Sequence, residues 1–113
     1  MSVVLVLQAR GLGDLLTAVP ALRALRRNRP NDHLVLAAPP RLRAIVDLIA
    51  TVDDMAPITV PNSLRWDGPA PDLAVNLHGP GTTALVELVK TGARRILSYR
   101  NPAFPEIPGP EWQ

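Results

Sequence analysis

The chain has no cysteine. That excludes a disulfide scaffold, thiolate zinc sites, iron–sulfur clusters and a cysteine nucleophile. Aromatic residues are scarce, at 4%, so platforms on which bases could stack are few. Lysine is nearly missing too: Lys90 stands beside eleven arginines, and the formal net charge is only +2. The basic excess is spread out, with seven arginines against five acids in residues 1–60 and five basic residues against five acids in 61–113. A nucleic-acid partner needs a clustered basic face, so none is expected. No apolar run approaches the ~20 residues of a membrane-spanning helix. The opening run Val3-Val4-Leu5-Val6-Leu7 has no basic leader and no cleavage site, unlike a signal peptide. A cytoplasmic location is the expectation.

What is present reads as globular rather than disordered, with 47% hydrophobic residues and a mean hydropathy of +0.11. A chain of 113 residues makes one domain at most and can bury roughly two-thirds of its unfolded surface. Arginine in place of lysine suits recognition of phosphates or carboxylates, because the guanidinium fork is planar and bidentate. Genome composition alone produces the same bias.

Val3 to Leu7 is short, uniformly apolar and β-branched, the pattern of a strand buried on both faces in a parallel sheet. After the loop Gln8-Ala9-Arg10-Gly11-Leu12-Gly13, Asp14 opens a helical pattern to about Asn28. Leu15, Val19, Leu22 and Leu25 form its apolar stripe, while Arg23, Arg26 and Arg27 load the last turns, where cations suit the helix dipole. Pro20 should kink this helix or divide it. Leu34–Ala37 reads as a second strand, Arg41–Ala50 as a second helix and Met55–Val60 as a short third strand interrupted by Pro57. Residues 61–71 read as a loop and Asp72–Leu77 as a fourth strand. Gly79-Pro80-Gly81 makes a sharp junction before a helix from Thr82 to Thr91, with Gly92 as its C′ residue. Arg94–Tyr99 is a candidate fifth strand. The alternation predicts an α/β fold, a parallel sheet with helices on both faces and right-handed crossovers. Residues 101–113 contain four prolines and read as a tail or connection.

In open α/β sheets, ligands bind at the carboxyl ends of the strands. Arg10-Gly11-Leu12-Gly13-Asp14 lies there, with glycines that let a ligand approach the backbone and helix-start N–H groups that need partners. A dinucleotide-binding oxidoreductase site fits badly. Leu16 stands where a third glycine belongs, and Ala37-Ala38-Pro39 offers no acid for a ribose. A phosphate-loop ATPase fails for want of Gly-Lys-Ser/Thr. No Gly-x-Ser-x-Gly elbow supports a serine nucleophile. Asp53-Asp54 lacks metal-ligand spacing and reads as solvated, so no metal and no cofactor are implied. Asp14 would repel a phosphate on the same N–H groups, and its minimal role is to stabilise the helix start. Arg10 and Arg41, near strand ends, are candidates for phosphates or carboxylates. Asn76 and His78, on the same sheet edge as Asp14, are candidates for hydrogen bonds to a ligand. Thr17, one turn past Asp14, either contacts a ligand or bonds back to its own helix.

The segment from Val3 to Leu25 resembles the N-terminus of family 9 glycosyltransferases, the lipopolysaccharide heptosyltransferases and their relatives. The matching core is Gly13-Asp14-x-x-x-Thr17-x-x-Pro20-Ala21-Leu22. Asp72-Leu73-Ala74-Val75-Asn76-Leu77-His78-Gly79 and Gly92-Ala93-Arg94-Arg95-Ile96 resemble two later segments, so the similarity runs from residue 3 to about residue 100. Leu97-Ser98 departs from it, since the family usually has glycine after the isoleucine.

The resemblance implies two Rossmann-like domains facing across a cleft, the GT-B arrangement. Residues 1–100 then read as an incomplete, Rossmann-like, acceptor-side domain, whether as a fragment, a truncated product or half of a split enzyme. The reaction implied is inverting transfer of a sugar from a nucleotide-sugar donor to a glycan or lipid-linked acceptor. Heptose is the best-known donor sugar of the family, and other members transfer other sugars. Asp14 takes the role of general base. Arg10, Gly11, Gly13, Thr17, Asn76 and His78 are the expected substrate-binding residues. The donor would be held by a second domain, and a lipid-linked acceptor would bring the protein to the inner face of the membrane. An exposed edge strand and a bare interdomain face lead one to expect self-association. The competing reading is a non-catalytic, Rossmann-like binding module that docks on a partner chain.

Overall fold

Runs of valine and leucine too short for helices build the sheet, and amphipathic stretches between them build its covering. The computed structural model describes residues 2–8, 10–58, 64–79, 82–98 and Ile107. Along them lie β1 (Val3–Leu7), α1 (Leu12–Asn28), β2 (His33–Ala38), a 3₁₀ turn (Pro40–Leu42) leading into α2 (Arg43–Ile49), β3 (Asp54–Pro57), β4 (Leu73–Asn76), α3 (Thr82–Lys90) and β5 (Arg95–Leu97). The strands form one sheet in the order β3-β2-β1-β4-β5, every neighbouring pair parallel. This is the Rossmann-like α/β arrangement. The chain winds outward from β1 to β3, then returns to the other side of β1 with β4.

Alternation along the strands divides the core. Val4, Val6, Leu34, Leu36, Leu73 and Val75 point to one face and meet Leu15 and Leu22 of α1 and Val46 of α2. Leu5, Leu7, Val35, Ala37 and Ala74 point to the other and meet Ala84 and Leu88 of α3, with Leu64 and Trp66 packed alongside. Helices therefore cover both faces, which is why β1 is apolar at every position. Each fully buried leucine contributes about 1.5–3 kcal/mol relative to an exposed one.

Several local expectations are corrected. The first helix begins at Leu12, two residues before Asp14, with Gly11 as its N-cap. It runs undivided through Pro20. The carbonyl of Leu16 loses its donor there, but Leu16 and Pro20 are both exposed, so water can meet that carbonyl. Ala18 rather than Val19 completes the buried stripe with Leu15 and Leu22, since Val19 is only half-buried. The third strand starts at Asp54 and ends at Pro57. It lies at the edge of the sheet, where a proline is tolerated.

Asp53 is not simply solvated. Its Oδ2 accepts the Arg26 Nη2 hydrogen at 2.6 Å and the Leu34 amide at 2.8 Å. Both the backbone and the guanidinium contacts hold its carboxyl below the usual aspartate range. Gly92 has φ +77°, and its N–H donates to Val89 at 3.1 Å, as its expected C′ position requires. The described part of the last strand is Arg95–Leu97, and Tyr99 lies outside the described residues. So does all of the proline-rich segment 101–113 except Ile107.

Candidate functional site

The winding reverses between β1 and β4, so their carboxyl ends open a crevice at a topological switch point. A depression of about 240 Å³ occupies it. Gln8 and Arg10 line it from the loop after β1, and Leu77 and His78 from the loop after β4. Asp14, Thr17, Ala18 and Ala21 line it from α1, and their spacing of three and four places them on one helix face.

Asp14 is the third residue of α1 and is exposed. Among the described residues no hydrogen bond or ion pair engages its carboxylate. Thr17 donates its hydroxyl to the Asp14 carbonyl at 2.9 Å. The back-bond is therefore made, and the hydroxyl retains acceptor capacity toward the depression.

Arg10 is exposed and lies across Gly79. A Cβ on Gly79 would sit 2.7 Å from the Arg10 Nη2, and Gly79 has φ +146°. Glycine there satisfies an unusual backbone and leaves room for the guanidinium. His78 is half-buried. Burial pushes its imidazole below the ordinary histidine range, the Arg10 charge pushes the same way, and Asp14 pulls it back up. The ring is therefore neutral at pH 7, with one donor and one acceptor nitrogen.

Asn76 does not line the depression. It is 3% exposed, and both ends of its amide are committed. Nδ2 donates to the Gly79 carbonyl at 2.8 Å and the Ser98 hydroxyl at 3.0 Å, while Oδ1 accepts the His78 N–H at 2.9 Å. A sugar hydroxyl would have to displace these bonds, so its observed role is to hold the turn that carries His78. Ser98, within the Leu97-Ser98 pair that departs from the resemblance described above, is a buried partner of that amide. Arg41 sits in the 3₁₀ turn, exposed, away from the depression.

Gly11 and Gly13 need a different explanation from the one their sequence suggested. Neither has positive φ, and a Cβ on either would meet nothing within 4 Å. The fold of this chain does not demand them, although a glycine inside a helix costs about 0.5–1 kcal/mol relative to alanine.

The structure thus brings Arg10, Asp14, Thr17 and His78 together, with Gly11 and Gly13 at the helix start and Asn76 beneath. The sequence reading missed Gln8, which is 4% exposed. Its signal was a polar residue placed directly after a fully apolar strand. Chemically, the depression offers a proton-accepting carboxylate, a cation, a neutral imidazole and a hydroxyl over the apolar surface of Ala18, Ala21 and Leu77. Among the described residues no group of three or more His, Asp or Glu gathers as a metal site. No described helix is long and apolar enough to cross a membrane.

No protein-family model matches the chain, and no curated protein matches it. Its fold is similar to the crystal structure of a glycosyl transferase family 9 protein from Veillonella parvula DSM 2008, with a TM-score of 0.79 and 18% sequence identity. That match covers 98% of this chain and 36% of the other, so the chain spans little more than a third of that protein's length. At this identity the likeness establishes the fold, and the chemistry rests on the residues described above.

Proposed function

We propose that these residues form the acceptor-side half of an inverting, metal-independent glycosyltransferase. The observation that carries the reading is the uncommitted carboxylate of Asp14, beside Arg10 and neutral His78, at the switch point of the sheet. In the proposed reaction a hydroxyl of the acceptor lies within about 2.6–3.2 Å of that carboxylate. Asp14 takes the hydroxyl proton as the oxygen forms a bond to the anomeric carbon of the donor sugar. The bond from that carbon to the nucleoside diphosphate breaks, the diphosphate leaves with the electron pair, and the configuration inverts.

Arg10 suits an anionic group on the acceptor, and His78 and Thr17 suit its hydroxyls. The bare backbone at Gly11 and Gly13 supports close approach by something outside the chain. The leaving diphosphate calls for stabilising groups, often the largest catalytic contribution, and a donor-binding domain beyond these residues would supply them. The donor sugar, with heptose one candidate, and the glycan or lipid-linked acceptor belong to the same proposal. So does self-association along the outer strand β5, where Leu97 is 45% exposed.

The test is to assay nucleotide-sugar consumption with the chain alone and with a donor-binding domain supplied. Transfer only in the second case is the expected result. Robust turnover by the chain alone would remove the need for a second domain. Sugar or phosphate binding without turnover in either case would favour a non-catalytic module.

A further inference from the structure

We infer that Gln8 is the positioning residue of this site, a buried carboxamide that sets the spacing between the Arg10 guanidinium and the His78 imidazole. Its consequence for sugar transfer rests on the reading above, but the placement itself can be tested without that reading.

Gln8 follows a strand that is buried from Val4 to Leu7, so its amide is taken out of water by the same packing. A buried carboxamide must find partners for both of its ends. The donor end crosses the seam between the two strands and reaches the Leu77 carbonyl at 2.7 Å. The acceptor end turns back to its own loop and takes the Arg10 N–H at 3.1 Å. The seam is already in register beneath it, with Leu7 opposite Asn76 and the Leu77 N–H on the Leu7 carbonyl at 3.0 Å. The side chain therefore extends the sheet ladder into the two loops, where backbone pairing has ended.

The contacts close into a ring. From Gln8 the path goes to Arg10, whose guanidinium lies over Gly79. The Gly79 carbonyl accepts from Asn76, and the Asn76 oxygen accepts the His78 N–H. His78 adjoins Leu77, whose carbonyl returns to Gln8. Within this ring Gln8 is the side chain that hydrogen-bonds from the β1 loop to the β4 loop. Arg10 and Asp14, charged neighbours among the described residues that act on the His78 ring, line the depression whose width the ring sets. Few replacements serve. Glutamate keeps the acceptor but sets an oxygen against the Leu77 carbonyl. Methionine keeps the length but loses both bonds.

The experiment is an NMR titration of the His78 ring in the 113-residue chain, with His33→Gln used to assign the two histidines. In Gln8→Met the Arg10 charge moves away from the ring. The His78 midpoint then rises by on the order of a few tenths of a pH unit. Arg10→Gln gives a similar rise, and the double variant goes no further than Arg10→Gln alone, because Gln8 acts through Arg10. Melting temperatures are recorded alongside. A drop in Tm with an unmoved His78 midpoint, or additive shifts in the double variant, would overturn the proposal. Should Gln8→Met not fold, the unsubstituted chain still decides. The Gln8 side-chain amide must show slowed hydrogen exchange and a scalar coupling across its bond to the Leu77 carbonyl, and the absence of both overturns the proposal. Failure of sugar transfer in any assay leaves these readouts untouched, so the two readings fail separately.

Discussion

At the amino-terminal end of the sheet an arginine and an aspartate are locked together, while at the carboxyl-terminal end another such pair stands open. Arg26 uses all three of its nitrogens, with Nε on the Thr51 carbonyl at 3.1 Å, Nη1 on the Asp32 carbonyl at 3.0 Å and Nη2 on Asp53 at 2.6 Å. It ties the end of α1 to the segments entering β2 and β3. Arg10 and Asp14 make no ion pair with each other, and both are exposed. Residue type is the same at the two ends, and only commitment differs. Charges already matched within the chain hold the fold, whereas charges unpaired among the described residues, beside a depression, are available to a ligand. The glycines repeat the lesson. Gly79 and Gly92 are required by their backbone, but Gly11 and Gly13 are required by nothing among the described residues.

The contrast can be broken by exchanging the arginines. Arg26→Met removes three hydrogen bonds and leaves Asp53 without its cation, and the expected loss is about 2 kcal/mol after discounting for partial exposure. Arg10→Met should change stability by less than about 0.5 kcal/mol. Urea unfolding of both variants checks this, and equal losses would erase the distinction. A smaller effect of opposite sign is expected at the helix start. Gly13→Ala should stabilise the chain by about 0.4–1 kcal/mol, since its backbone suits alanine and the space is open. A loss of stability would show that the fold needs Gly13 after all.

The smallest effects are those of pH. Asp53 is held below its ordinary value, so its contribution is present above about pH 3.8 and is lost as pH falls through the lowered folded value. His78 is also lowered. The unfolded chain therefore takes up that proton first, and stability declines as pH falls from about 6.5 toward the folded value. Asp53→Asn should abolish the acid step and His78→Gln the step nearer neutrality. Melting temperature against pH reads both.

Much of this was legible in the sequence because it is local. The apolar run of β1, the glycine-bearing loop and the helix carrying Asp14 follow from residues within one turn or one strand of each other. The two buried amides both turn out to hold loops, which neither position announced. Asn76 looked like a ligand contact and Gln8 like an ordinary loop residue. What decides between them is distant in the chain: Ser98 lies 22 residues from Asn76, and Leu77 lies 69 from Gln8. Asp53 was misread for the same reason, since Arg26 is 27 residues away. Pro20 does not divide the helix, and a rule about helix interiors takes no account of which side faces water.

The most direct test of the central claim compares the two aspartates, in the chain supplied with a donor-binding domain. Asp14→Asn and Asp53→Asn each remove one carboxylate charge and keep the side chain's shape. For Asp14→Asn, kcat is expected to fall by about 10²–10⁴-fold while Tm holds. For Asp53→Asn, Tm is expected to fall by about 4 °C, corresponding to about 1 kcal/mol, while kcat holds below the new Tm. The account is contradicted if Asp14→Asn keeps more than about a tenth of the activity with chemistry rate-limiting, or if it loses Tm as Asp53→Asn does.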